Sequence, residues 1–172
     1  MKHALTLQKE ADRANTAIVQ LDMTPAKREK DSSEGISISH LSLAHFLRLY
    51  MLFNSKSPYM PGRLSSDAQK HLEEEIVGTL KALIDDKTKY AGYAGKFDEI
   101  PVSAQAVWPR ASENIWMQRA HFNFLGWQVL KQHPTYSKLK YDNHSPEDYY
   151  ERWKTFFTIY LDELAKKGLF IE

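Results

Sequence analysis

Apolar residues recur at steps of three and four in five successive segments of this chain, and this spacing constrains the fold more than any other feature. Such spacing places side chains along one face of an α-helix, whereas a half-buried strand alternates every second residue. The third segment has the most regular stripe, formed by Ala68, Leu72, Ile76, Leu80 and Leu83. The sequence therefore predicts an all-α protein of about five amphipathic helices, arranged as antiparallel hairpins.

Breaker and capping residues predict the limits of the first three helices. The first helix is expected to end before Pro25, because proline ends a helical pattern. The second is expected to end near Asn54, ahead of a turn rich in proline and glycine. The third is predicted to begin at Ser66, with a capping box between Ser66 and Gln69.

The last two helices have clear signals of their own. The fourth is predicted for residues 112–132, with apolar or aromatic groups on both sides, which is typical of a helix buried between neighbours. The fifth begins at Ser145-Pro146-Glu147-Asp148, which combines a serine cap, a first-turn proline and two acids at the positive end of the helix dipole. Gly168 is its predicted C-terminal cap. Its predicted apolar stripe is Tyr149, Trp153, Phe157, Tyr160 and Leu164.

Length, charge and composition limit the classes of function. The 172 residues fit one helical domain, residues 1–172. Because 23 basic and 22 acidic side chains are interspersed, no field for a nucleic acid or an anionic membrane is expected. No apolar run has the length of a signal peptide or a membrane span. The chain has no cysteine, and the spacing of His40 and His45 keeps them off a common helical face, so neither a metal site nor a cofactor is predicted.

The long connection between the third and fourth helices carries the candidate site. Residues 85–111 show no sustained period, and connections of this length are often functional. Trp108 and Arg110 present an aromatic face and a forked guanidinium, which either bind an acidic sugar or pack at the start of the helix. Glu113 and Asn114 in the first helical turn either cap free amide groups or face a ligand. Tyr93 either lines a cleft or anchors the connection on the core.

The segment Trp108-Pro109-Arg110-Ala111-Ser112-Glu113-Asn114, the start of the fifth helix and the ending Gly168-Leu169-Phe170 resemble part of large bacterial α/α-toroid proteins. These proteins are related in fold to the toroid domain of uronic-acid polysaccharide lyases, such as alginate and chondroitin lyases. The resemblance covers residues 108–172, and its short motif is Ser112-Glu113-Asn114. It implies that the chain binds or processes an acidic polysaccharide.

The resemblance also implies roles for particular residues. Asn114 is the implied catalytic residue, because the matching asparagine helps to neutralise the uronate carboxylate and eases removal of the adjacent proton. Trp108, Arg110, Glu113 and Tyr93 are the predicted substrate-binding residues. In the family pattern histidine follows Ser-Glu-Asn, but this chain has Ile115, which cannot accept a proton.

Two further expectations follow from the number and the faces of the helices. A toroid needs more helical hairpins than five helices supply, so the chain is expected to be the N-terminal part of a larger toroid. The alternative function is a non-catalytic interaction module, in which broad apolar faces of the second and fourth helices dock a partner chain or a second copy.

Overall fold

The computed structural model describes the backbone of residues 2–20, 40–85, 95–107 and 113–168, and the side chains of residues 8–20, 45–85, 95–107 and 117–168. The α-helices in these ranges are α1 (Lys2–Val19), α2 (His40–Phe53), α3 (Ser66–Asp85), α4 (Glu113–Gln132) and α5 (Pro146–Lys167). Short 3-10 helices occupy Phe97–Glu99 and Tyr136–Lys138. The described ranges contain no strand, only an isolated bridge between Tyr141 and His144. The prediction of an all-α fold is confirmed.

The chain forms two compact units, Met1–Thr79 and Leu80–Glu172, and the division falls within α3. The helix limits agree with the sequence prediction to within a residue or two for the end of α2 and for α4 and α5. The single domain over residues 1–172 and its place in a larger toroid remain predictions.

In the first unit, side-chain hydrogen bonds connect α1, α2 and α3. Asn15 in α1 donates from Nδ2 to the backbone oxygen of Arg63 at 3.1 Å, and its Oδ1 accepts from the backbone amide of Ser65 at 2.9 Å. The Tyr50 hydroxyl in α2 donates to Glu73 of α3 at 2.8 Å. Among the described residues of this unit, the buried apolar side chains are Ile18, Leu47, Tyr50, Ala68, Leu72, Ile76 and Val77.

The N-cap of α3 differs from the predicted one by one residue. The side chain of Ser65, rather than that of Ser66, accepts from the helix, because its Oγ lies 3.2 Å from the backbone amide of Ala68. Ala68 then occupies the third helical position, where a capping box needs Glu or Gln. Gln69 instead accepts from the backbone amide of Ser55 and donates to Glu73. The predicted capping box between Ser66 and Gln69 was therefore wrong.

In the second unit, α4 and α5 form an antiparallel pair. Lys131 near the end of α4 lies 3.1 Å from Glu147 at the start of α5. About two turns earlier in α4, the ring of Phe124 lies 5.2 Å from that of Phe157, which is further along α5. The later residue of α4 contacts the start of α5, and the earlier residue of α4 contacts a later residue of α5. The two helices therefore run antiparallel, and the predicted hairpin is confirmed for this pair.

The ends of α5 are capped as the sequence predicts. Ser145 and Asp148 form a reciprocal capping box, with Pro146 in the first turn. The preceding turn at Asp142 and Asn143 has positive φ angles of 48° and 67°, which these two residue types tolerate better than most others. At the other end, the amide of Gly168 donates to the Leu164 oxygen at 2.9 Å, and its φ of +83° favours glycine.

The buried stripe of α5 is rotated from the predicted one. Phe156 and Glu163 are buried, whereas Phe157 and Leu164 are only half-buried. Glu163 is tolerated at this position because the ammonium of Lys167 lies 2.6 Å from its carboxylate, which lowers the pKa of Glu163. The predicted members Phe157 and Leu164 were therefore wrong as core residues, and Phe157 is left at a surface groove.

Candidate functional site

The side chains of the site residues predicted from sequence lie outside what the structure describes. Tyr93, Trp108 and Arg110 fall in the gaps between the described ranges. Glu113 and Asn114 are described only in their backbone, which forms the first turn of α4 as predicted. Their roles in capping or in ligand binding therefore remain predictions.

The described segment just before Trp108 is attached to α5 by a stack of three side chains. The ring of Phe97 stacks on His144 with centroids 3.7 Å apart and an interplanar angle of 13°. The guanidinium of Arg152 lies 4.7 Å from the centroid of the Phe97 ring and donates to the backbone oxygen of Asp98 at 3.3 Å. This stack fixes residues 97–98 on the helical pair.

A cleft of about 350 Å³ borders this stack, and its polar groups already have structural roles. Asp148 caps α5, and Glu151 pairs with Lys154 at 3.2 Å. Phe97 and Arg152 are held against each other, and His144 lies against Phe97, so this ring is poorly placed to stack on a sugar. The cleft is best explained as a joint between the connection and α5.

Two buried tyrosines lie deeper in the same unit. The ring of Tyr149 stacks on Trp127 at 4.2 Å, and Tyr141 meets Trp127 edge-on at 5.1 Å. Neither hydroxyl forms a hydrogen bond with a described residue. The backbone of Phe97 lies close to the Tyr149 hydroxyl and acts to lower its pKa, against the larger effect of burial. Burial, then the charge of Asp142, raises the pKa of Tyr149, and burial raises that of Tyr141. Both phenols therefore stay neutral near pH 7 and belong to the core.

An open apolar groove runs between α4 and α5. We call it the α4–α5 groove; its volume is about 380 Å³, and its lining residues are His121, Phe124, Leu125, Lys154, Phe157, Thr158 and Leu161. Leu161 at its edge is 59% exposed, which is high for a leucine on a helix with a buried face. His121, which also lines the groove, is half-buried.

The sequence analysis did not identify this groove. It placed Phe157 in the apolar stripe of the fifth helix and expected apolar faces of the second and fourth helices to dock a partner, but it did not pair the fourth helix with the fifth, where the rings of Phe124 and Phe157 lie 5.2 Å apart. The signal in the sequence is Leu161, which stands outside the predicted stripe of α5.

Searches of the described residues for a membrane span and a metal site, and of the chain for related proteins, all gave negative results. Among the described residues, no helix is both long enough and apolar enough to cross a membrane. Over the same ranges, no three His, Asp or Glu side chains converge in a way that could hold a metal ion. Comparison of the chain with models of protein families, with curated proteins and with solved structures finds no match.

Proposed function

We propose that this chain is a non-catalytic helical interaction module, whose α4–α5 groove receives an amphipathic helix of a partner protein. The observation that carries this proposal is the exposure of Leu161 beside the aromatic pair Phe124 and Phe157. Large apolar side chains left open on a surface mark binding sites more often than single scattered ones do.

The shape of the groove favours a helix as the occupant. Its walls are two antiparallel helices, so it runs parallel to both axes. Its lining residues follow at steps of three and four, such as Lys154, Phe157, Thr158 and Leu161 on α5. A helix with apolar side chains at i, i+3, i+4 and i+7 presents a matching row of anchors.

The charge at the edge of the groove favours an acidic flank on that helix. Lys154 lines the groove, and its ammonium pairs with Glu151 on the same exposed surface. Exposed pairs of this kind contribute little to stability, so a carboxylate from an incoming helix can replace Glu151 at low cost. Among the residues whose side chains the structure describes, no carboxylate lines the groove.

A single label tests this proposal, because the chain contains no other thiol. Position 165 lies one turn beyond Leu161, and in the Ala165→Cys variant a solvatochromic dye is attached to the introduced thiol. The probe is a synthetic helix with leucines at i, i+3, i+4 and i+7 and glutamates beside them. Binding shifts the emission of the dye to shorter wavelength, and Leu161→Glu in the same labelled protein weakens binding more than about tenfold.

The same dye on Glu74→Cys, an exposed position of α3, is the matched control and keeps the emission of a water-exposed dye throughout. An unchanged emission at position 165 up to millimolar peptide, or an equal response in the Leu161→Glu variant, would refute the proposal.

The second candidate is the binding or processing of an acidic polysaccharide. It is favoured by the Trp108-Pro109-Arg110 segment and by the position of Asn114 in the first turn of α4, where free amides and the helix dipole attract a carboxylate. In this proposal Asn114 is the catalytic residue, and Trp108, Arg110, Glu113 and Tyr93 bind the sugar.

Incubation with alginate or chondroitin tests this candidate, because a uronate lyase creates unsaturated ends that absorb in the ultraviolet. Asn114→Ala should suppress that signal, whereas Gln118→Ala, one turn further along α4, should retain it. Lack of activity and lack of glycan binding across a broad uronate panel would remove this candidate.

A further inference from the structure

The loop between α2 and α3, residues 54–65, is held rigidly although it projects large side chains into solvent. We call it the α2–α3 loop. The backbone amides of Met60 and Gly62 donate to oxygens of Leu52 and Asn54, at 3.3 and 3.1 Å. The Ser57 hydroxyl donates to the Leu52 oxygen at 2.7 Å and accepts from the amide of Tyr59. The loop thus uses the free carbonyl groups at the end of α2, and its conformation is fixed.

Two side chains of this fixed loop have no visible structural role. Tyr59 is 72% exposed and Met60 is 56% exposed, the former more than any other large apolar residue in the described ranges. Neither forms a side-chain hydrogen bond or a ring contact among the described residues. Because the backbone is already ordered, these side chains can bind another molecule with little further loss of conformational entropy.

The charged residues of the loop itself have one sign. Lys56 and Arg63 are both exposed, and neither forms an ion pair within the described part of the chain. Residues 54–65 contain no Asp or Glu. The loop therefore presents an aromatic ring and a thioether that lie between two cations in the sequence, and neither cation is paired with a described residue.

We infer that the α2–α3 loop is a second docking element, which inserts Tyr59 and Met60 into an apolar pocket with an acidic rim on a partner protein. Tyr, Met and Arg are enriched at the cores of protein interfaces, and Tyr and Arg dominate their binding energy. The acidic rim follows from Lys56 and Arg63. This inference is independent of the α4–α5 groove, since it concerns another unit of the chain.

Two other kinds of partner fit the loop less well. A sugar site needs side chains that hydrogen-bond hydroxyl groups, but the amide of Asn54 is already engaged with Tyr50 and Lys56. A membrane surface would gain only two apolar side chains, whereas stable anchoring needs more buried apolar area or a lipid chain. A protein pocket uses both the apolar and the cationic groups.

A peptide library displayed on phage tests the inference with the full chain as bait. Peptides that also bind the Tyr59→Ser and Met60→Ser double variant are discarded, because they bind elsewhere on the chain. We expect the remaining peptides to combine Asp or Glu with apolar residues. Their affinity should fall more than about tenfold in Tyr59→Ser and severalfold in Arg63→Ser, and it should weaken as salt is added.

Leu139→Ser is the matched control, because Leu139 is also an exposed loop residue, and it should leave affinity unchanged. Circular dichroism confirms that each variant is folded. If no peptide remains once binders of the double variant are discarded, the inference is overturned. Loop-dependent binding to alginate or to phosphatidylserine vesicles in place of acidic peptides would also overturn it. Leu161→Glu should not change binding of these peptides, so a failure here is distinct from a failure of the α4–α5 groove.

Discussion

Gly126 and Gly78 form a matched pair that tests the packing of α4 on α3. Both lie inside helices, where replacing glycine by alanine stabilises by about 0.5–1 kcal/mol when nothing else changes. A Cβ at Gly78 would meet no atom within 4 Å. At Gly126 it would lie 3.1 and 3.2 Å from the two terminal methyl carbons of Leu80. We expect the two alanine substitutions to change stability in opposite directions.

The magnitude follows from the burial of Leu80. Its side chain is 0% exposed, so the methyl groups cannot turn into solvent, and overpacking of this kind costs about 1–3 kcal/mol. After the helix-propensity gain is subtracted, Gly126→Ala should destabilise by about 1 kcal/mol. Gly78→Ala should stabilise by about 0.5–1 kcal/mol. The variants should therefore differ by about 3–8 °C in Tm, since each kcal/mol shifts the Tm of a chain of this length by about 2–4 °C.

Urea unfolding measures these differences, with circular dichroism and tryptophan fluorescence recorded on the same samples to test for a single transition. Leu80→Ala in the Gly126→Ala background removes the crowding, so the double variant should be more stable than the sum of the two single effects by at least about 0.5 kcal/mol. Equal stabilisation by both glycine substitutions, or strict additivity with Leu80→Ala, would show that α4 does not approach Leu80 this closely.

Three other substitutions test the capping, bracing and burial described above. Ser145→Ala should cost about 1 kcal/mol by removing the capping box. Hydrogen bonds from Ser145 lower the pKa of Asp148 in the folded protein. The stabilisation is therefore present above the unfolded pKa of about 3.9 and is lost as pH falls through the folded pKa. Urea unfolding at acid pH should show that the variant loses less stability than the wild type over this range. Asn15→Ala should cost about 1–2 kcal/mol in urea unfolding, since two hydrogen bonds to the α2–α3 loop disappear. Tyr149→Phe should not destabilise the fold, because it removes a buried hydroxyl that forms no hydrogen bond with a described residue. Because burial raises the pKa of Tyr149, the wild type should lose stability above about pH 10, and the variant should lose less stability there.

Local signals in the sequence predicted most of the helical architecture. The start of α5 was legible because Ser145, Pro146 and Asp148 act within one turn, without help from distant residues. The cap of α3 was misplaced by one residue because Ser65 and Ser66 are adjacent, and only the backbone geometry decides which of them precedes the helix.

The surfaces could not be predicted in the same way. Spacing allowed either Phe156 or Phe157 to face the core, and the choice depends on the position of α4. The pairing of Glu163 with Lys167 makes a carboxylate acceptable in the buried stripe, which periodicity alone does not reveal. For the α2–α3 loop the two cations and the lack of acids were legible, but the exposure of Tyr59 required the fold.

The central claim, that the α4–α5 groove receives a helix, is tested most directly by nuclear magnetic resonance of the isotope-labelled chain during titration with the acidic amphipathic helix described above. We predict shift changes concentrated at Leu125, Thr158 and Leu161, with saturation at a single site and loss of the effect in Leu161→Glu. Changes spread over the surface without saturation, or confined to residues outside the groove, would contradict the claim.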